Sequence, residues 1–167
     1  MTIARYDVVI VGSSMVGAAL GCALGGSRLR VAVVDANPPP AWTGDEFDVR
    51  VSAITAASQN IFRSLGVWQG MVNMRVSPFR DMHVWDAGGC GEIHFSSADI
   101  GEATLGHIIE NRVIVRALTQ RLTGFDNIEM MYPARLTALA VDEPHAVLTL
   151  DDNRRIETRL IGPALSP

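Results

Sequence analysis

Two glycines, two serines and an acid carry the first chemical signal in this chain. The run Gly12-Ser13-Ser14-Met15-Val16-Gly17 follows an apolar segment at residues 8–11, and Asp35 closes a second such segment at residues 31–34. Residues in this order can grip a dinucleotide. Gly12 permits a tight turn out of a strand, and Gly17 lets a helix pack close to it. The helix start offers free N–H groups and a positive dipole end to a pyrophosphate. Asp35 lies 23 residues after Gly12, near the spacing of the acid that accepts ribose hydroxyls. The pattern departs from G-x-G-x-x-G at one place, where Ser14 stands for the middle glycine. Serine there either fits and adds a hydroxyl donor, or holds the backbone off the pyrophosphate and weakens binding by about 1–3 kcal/mol.

Such residues need a strand–turn–helix–strand unit to position them, and residues 5–35 supply it, with a small-residue helix expected over 15–25. A membrane span or signal peptide competes for the same stretch, because residues 8–27 carry no charge over twenty positions. Asp7 in place of a basic leader, and the interrupting glycines and serines, argue against it. Beyond Asp35, Asn37-Pro38-Pro39-Pro40 opens a loop to about residue 48. Ser52 is expected to cap a helix to about residue 65, with Ile54, Ala57, Ile61 and Leu65 on one face and Gly66 ending it. A short helix at 68–72 precedes a hairpin, residues 81–87 and 92–96 around Gly88-Gly89-Cys90-Gly91. An extended piece at 105–109 leads to a helix capped by Asn111 and running to about Leu122, with Val115, Leu118 and Leu122 inward. The tail reads as strands at 128–132, 136–141, 146–150 and 155–161, turning at Glu143-Pro144 and Asp151-Asp152-Asn153.

Composition narrows the chemistry. At 167 residues and 48% apolar, the chain suits one domain or a piece of a larger one, with a buried core. A net charge of −4 argues against a nucleic-acid surface. All 14 basic residues are arginine, which removes lysine Schiff-base chemistry and the P-loop lysine. Two cysteines, Cys22 and Cys90, suggest a reducing compartment and no disulfide framework. With no evident signal peptide, a cytoplasmic location is expected. His83, Cys90 and His94 fit no common zinc spacing, so they read as strand and turn residues and no metal is expected. His107 reads as a packed, hydrogen-bonded histidine. Met71, Met74, Met130 and Met131 read as core filler or a greasy edge.

Three further blocks make a family visible: DVRVSAITAAS from Asp48 to Ser58 leading into Leu65-Gly66-Val67-Trp68, MHVWD from Met82 to Asp86, and LGHIIENR from Leu105 to Arg112. With the glycine turn, they resemble the FAD-dependent hydroxylases of ubiquinone biosynthesis, class A flavoprotein monooxygenases related to p-hydroxybenzoate hydroxylase. The resemblance implies an α/β fold, a Rossmann-like βαβ FAD-binding domain of the glutathione reductase type with a β-rich C-terminal portion. It assigns FAD to Gly12, Ser13, Ser14, Met15 and Gly17 at the pyrophosphate and to Asp35 at the adenosine ribose. Arg50 and Arg112 match family arginines on the FAD side, and guanidinium forks suit phosphate and ribose oxygens. The residue-level alternative is that they cap a helix or pair with Asp48 or Glu110.

The family reaction inserts one atom of O2 into an electron-rich aromatic ring, with NAD(P)H as a transient reductant that brings no Rossmann unit of its own. The cofactor carries the hard step, so no catalytic acid, base or nucleophile is assigned. Substrates of the implied kind are polyprenyl phenols or quinols, with peripheral attachment to the inner membrane and contact with other quinone-biosynthesis proteins. Family members carry a G-A-D-G block where this chain reads Leu160-Ile161-Gly162 and then Pro-Ala-Leu-Ser-Pro167. The chain therefore resembles the N-terminal part of such an enzyme, an incomplete FAD-binding domain comprising the unit at 5–35, a helical and hairpin region at 50–124 and a β-rich tail at 127–161. It is expected to be truncated and not to hydroxylate a ring by itself. Two other classes remain open: a nicotinamide dehydrogenase on the same βαβ unit, and a non-catalytic remnant that binds nucleotide weakly or only contacts partner proteins.

Overall fold

A computed structural model describes residues 3–163; of the stretch where the G-A-D-G block is expected, 160–163 are described and 164–167 lie outside the described residues. The chain falls into two compact units, residues 1–42 with 114–167, and residues 43–113.

The first unit is built on a six-stranded sheet. Strand β1 (Ala4–Val11) leads through the glycine turn into helix α1 (Met15–Leu24) and back to β2 (Val31–Val34). β1 and β2 pair in parallel, as a strand–helix–strand crossover requires. Their β-branched residues are buried on both faces. Val8, Ile10, Val31 and Val33 form one core, with Leu24 packed against it. Tyr6, Val9, Ala32 and Val34 join Leu148, Leu150 and Ile156 in the other. The uncharged stretch at 8–27 is thus a strand and a helix of a folded sheet. Among the described residues, no helix is long and apolar enough to cross a membrane.

The tail completes this same sheet. β8 (Ile128–Met131) adds in parallel beside β2, and β11 (Arg155–Pro163) adds in parallel beside β1. β9 (Leu136–Asp142) and β10 (His145–Leu150) extend it antiparallel from β11, in the order β8-β2-β1-β11-β10-β9. The turns at Glu143-Pro144 and Asp151–Asn153 fall where expected, with Asn153 at φ 66. Helix α4 (Asn111–Leu122) buries Val115, Leu118 and Leu122. It packs closely on α1: the Cys22 thiol donates to the Leu118 carbonyl at 3.4 Å. A Cβ on Gly21 would come within 2.8 Å of Leu122 Cδ2.

The second unit holds a three-stranded sheet, β3 (Val51–Thr55), β7 (Gly106–Glu110) and β4 (Ser77–Phe79), and a separate hairpin, β5 (Asp81–Trp85) with β6 (Glu92–Ser96). Here one expectation fails. Residues 51–55 are a strand, and helix α2 (Ala56–Ser64) begins four residues later than Ser52, capped by Thr55, whose Oγ1 accepts the Ser58 N–H at 3.4 Å. Val51, Ile54 and Thr55 are β-branched and pair antiparallel with β7, a partner that outweighs their helical spacing. The buried residue of α2 is Phe62, and Ile61 is exposed. Gly66, at φ 74, ends the segment as expected. Helix α3 (Trp68–Met74) runs two residues past its expected end. β4 was not visible in the sequence because it contains Pro78, which a sheet accepts at its edge.

Candidate functional site

The first unit brings the glycine turn and Asp35 together at the carboxyl ends of two neighbouring parallel strands, the place where open α/β sheets receive ligands. Gly12 takes φ 102, a backbone angle that asks for glycine, and its N–H donates to the Val34 carbonyl at 2.7 Å. Ser13 is 4% exposed, and both its N–H (2.6 Å) and its hydroxyl (2.7 Å) donate to Asp35 Oδ2. Burial alone would raise the Asp35 carboxyl, but the N–H groups of Asn37 and Ser13 and the Ser13 hydroxyl outweigh it and hold the pKa below the ordinary value.

Ser14 is the N-cap of α1 at φ −66 and ψ −176, extended backbone that any residue adopts. The serine is therefore unstrained, and the turn's one demanding angle falls on Gly12, which is a glycine. The Ser14 hydroxyl makes no capping bond, so the first N–H groups of α1, from Met15 onward, lack a side-chain acceptor in this structure. Gly17 is buried on the inner side of α1, as the close-packing role requires. A dinucleotide fits these residues: a bend free of Cβ strain, open N–H groups at a helix start, and an ionised acid beside them.

Arg50 and Arg112 belong to the second unit. Arg50 has a pinned backbone, its N–H donating to Asp48 Oδ1 at 3.0 Å and its carbonyl accepting the Asn111 N–H at 2.9 Å, while the residue is exposed. Arg112 is engaged within the protein. Its Nε donates to Glu110 Oε2 at 2.8 Å, and its Nη2 reaches the Glu46 carbonyl.

Glu110, the partner that the residue-level alternative gave Arg112, is the centre of a cluster whose second arginine, Arg75, sequence reading left out. It is 4% exposed, and it also accepts the Asp48 N–H at 2.9 Å and Arg75 Nη1 at 2.7 Å. Burial pushes its pKa up, but the Asp48 N–H, the Arg112 hydrogen bond and the charges of Arg112 and Arg75 carry it below the ordinary value. Arg75 also donates to the carbonyls of Gly44 (2.5 Å) and Glu46 (3.1 Å) and stacks at 4.0 Å over the Phe47 ring. Two arginines and a carboxylate thus hold the loop 44–48. The signal that could have found Arg75 is Glu110 itself, an acid ending the apolar strand GHIIE, which needs counter-charges once buried.

His107 packs edge-on against Trp68 at 5.1 Å. Burial, then the Arg63 charge, lowers its pKa. Its Nδ1 has no hydrogen-bond partner, which corrects the expected hydrogen-bonded histidine. Met71 and Met131 are buried core residues. Among the described residues no group of acids, histidines and cysteines is placed to hold a metal, and Cys22 and Cys90 are unpaired thiols.

No family model matches the chain. Among curated proteins, it is 33% identical to the ubiquinone hydroxylase UbiL of Rhodospirillum rubrum over 155 residues, 93% of this chain and 36% of that protein. It is also 33% identical to the 3-demethoxyubiquinol 3-hydroxylase of Escherichia coli K12, over 96% of this chain and 41% of that one. The chain thus spans well under half the length of these relatives. Among solved structures, the flavin-dependent monooxygenase PieE in complex with FAD and substrate superposes with a TM-score of 0.73 at 15% identity, covering 94% of this chain and 29% of that one.

Proposed function

With homologues that are ubiquinone hydroxylases along nearly all of this chain, and with the mixed α/β fold of FAD-dependent monooxygenases, we propose that it is the nucleotide-binding portion of an oxidoreductase that hydroxylates an aromatic ring in ubiquinone biosynthesis. The observation that carries this reading is the Ser13–Asp35 pairing at the glycine turn, which sets an ionised carboxylate beside the open start of α1.

Each group has a stated task. Gly12 makes the bend, the N–H groups of Met15 to Gly17 receive the pyrophosphate of FAD, and Asp35 receives its adenosine ribose. Ser14 adds a hydroxyl to the same phosphate. Arg50, with a pinned backbone and an exposed side chain, supplies a guanidinium for a further cofactor oxygen. Arg112 acts mainly through Glu110 and the loop 44–48. FAD, when bound, supplies the oxygen-transfer chemistry, with O2 and NAD(P)H as co-substrates. The substrate is a polyprenyl phenol or quinol, handled in the cytoplasm at the face of the inner membrane beside other proteins of quinone synthesis.

Titrating the purified chain with FAD and passing it through a gel-filtration column tests the reading. Flavin absorbance that co-elutes near one equivalent, and that falls in Asp35→Asn, supports it. Released nicotinamide would point to a dehydrogenase instead. A colourless chain that takes up no flavin would favour the second reading, a non-catalytic nucleotide fold, for which the engagement of Arg112 by Glu110 and Glu46 is the specific observation.

A further inference from the structure

A carboxylate offers about four acceptor sites, and the fold already fills three of those on Asp35. Oδ2 accepts the Ser13 N–H at 2.6 Å and the Ser13 hydroxyl at 2.7 Å, and Oδ1 accepts the Asn37 N–H at 2.9 Å. The main chain at Asp35 is held as well. Its N–H donates to the Met131 carbonyl at 3.0 Å, and its carbonyl accepts the Ala134 N–H at 2.7 Å. Ser13 is 4% exposed, so water cannot readily stand in for a lost partner of its hydroxyl. A ligand hydroxyl arriving at Oδ2 would displace a charge-assisted bond and leave that buried O–H without an acceptor. With glycine or alanine at position 13, only the N–H would remain on Oδ2, and a second ligand hydroxyl would have room.

We infer that Ser13 is a specificity-determining residue of the nucleotide site: its hydroxyl occupies Asp35 Oδ2, so Asp35 accepts one ribose hydroxyl of an adenine nucleotide, at Oδ1, and not two. The inference rests on the nucleotide-binding reading above and adds to it the number of sugar contacts that this acid makes. Ser13 acts through Asp35, and its effect is to make one of the two sugar hydroxyls dispensable.

Isothermal titration of the full chain with ADP, 2′-deoxy-ADP and 3′-deoxy-ADP tests it without flavin or turnover. In the unmodified protein one deoxy analogue should bind about tenfold more weakly than ADP, the loss expected for a hydrogen bond to a charged acceptor, and the other within about twofold. In Ser13→Ala both analogues should weaken relative to ADP. Equal behaviour of the two analogues in the unmodified protein overturns the inference, as does an asymmetry that survives unchanged in a folded Ser13→Ala. Ser13→Gly serves as the second variant if alanine disturbs folding, and the unmodified protein is decisive without either. Failure of ADP to bind at all is a different result, which removes the nucleotide-binding reading itself.

Discussion

Glu110 and Arg75 meet at 2.7 Å across 35 residues of sequence, and Arg112 closes on the same carboxylate from two positions away. One buried acid therefore answers two guanidinium groups and the Asp48 N–H. Removing one partner of a buried ion pair leaves charge without compensation, which typically costs about 3–5 kcal/mol. Glu110→Gln, which keeps the shape, should lower the stability of the unit holding residues 43–113 by roughly that amount. The check is the urea midpoint, followed by a probe inside that unit such as Trp68 fluorescence. An unchanged midpoint would show that the cluster does not hold the loop.

Acid should act through two carboxyls. Asp35 and Glu110 are both held below their ordinary values of 3.8 and 4.5. Each binds fewer protons in the folded state, so each contributes stability that is complete above the unfolded pKa and lost as pH falls through the folded one. Melting temperature should fall gently below about pH 6.5, where the folded protein resists protonating His107, and more steeply below about pH 5 as the two carboxyls protonate. In Glu110→Gln the drop should be shallower. Thermal melts across pH 7 to 3 on both proteins decide this, and equal slopes below pH 5 would count against it.

Two glycines should tolerate alanine very differently. At Gly106 an added Cβ would run into the Ile54 backbone carbonyl and lie 2.9 Å from the Phe79 ring, so the β3–β7 pairing must shift. At Gly21 the close approach is to the end of a flexible side chain, Leu122 Cδ2 at 2.8 Å, with Val33 Cγ2 in ordinary contact at 3.5 Å. Gly106→Ala should cost roughly 2–4 kcal/mol and Gly21→Ala about 1 kcal/mol or less, as overpacking and helix propensity partly offset each other. Chemical denaturation of the two variants side by side measures the ordering.

The hairpin β5–β6 presents Met82, Val84, Ile93 and Phe95 on one face as two directly opposed pairs, all exposed. Contiguous apolar surface of this kind favours association. Val84→Lys should reduce light scattering at high protein concentration while moving the melting temperature by less than the change seen in Glu110→Gln. Scattering that stays the same would place the adhesive surface elsewhere.

The parts legible in the sequence were those set by local rules. Gly12, the small-residue helix, Asp35 and the apolar runs of β1 and β2 follow from periodicity and turn chemistry, and the inward face of α4 follows from its spacing. Residues 51–55 misled because Ser52 suits a helix cap and Ile54 shares helical spacing with Ala57, Ile61 and Leu65, while the strand that holds Ser52 and Ile54 is decided by β7, more than fifty residues away. Pro78 hid an edge strand for the same reason: its tolerance depends on having no neighbour on one side. The Arg112–Glu110 pair was on offer in the sequence, but the approach of Arg75 to Glu110 and the Ser13 hydroxyl bond depend on three-dimensional convergence, which no spacing rule encodes.

β1 runs beside β11 with Ala4 opposite Ile156, and Arg5 meets Glu157 across 152 residues. β1 therefore waits for a strand some 152 residues further along before its second neighbour exists. Until then the βαβ unit has an open central edge rather than an outer one, flanked by the most apolar residues of the chain. Pairing of such high contact order is slow, so the folding protein passes through a window in which Val9 and Ile10 have β2 on one side and no strand on the other. Assembly of this six-stranded sheet thus waits on the arrival of β11, and its exposure to chaperones is written into the strand order.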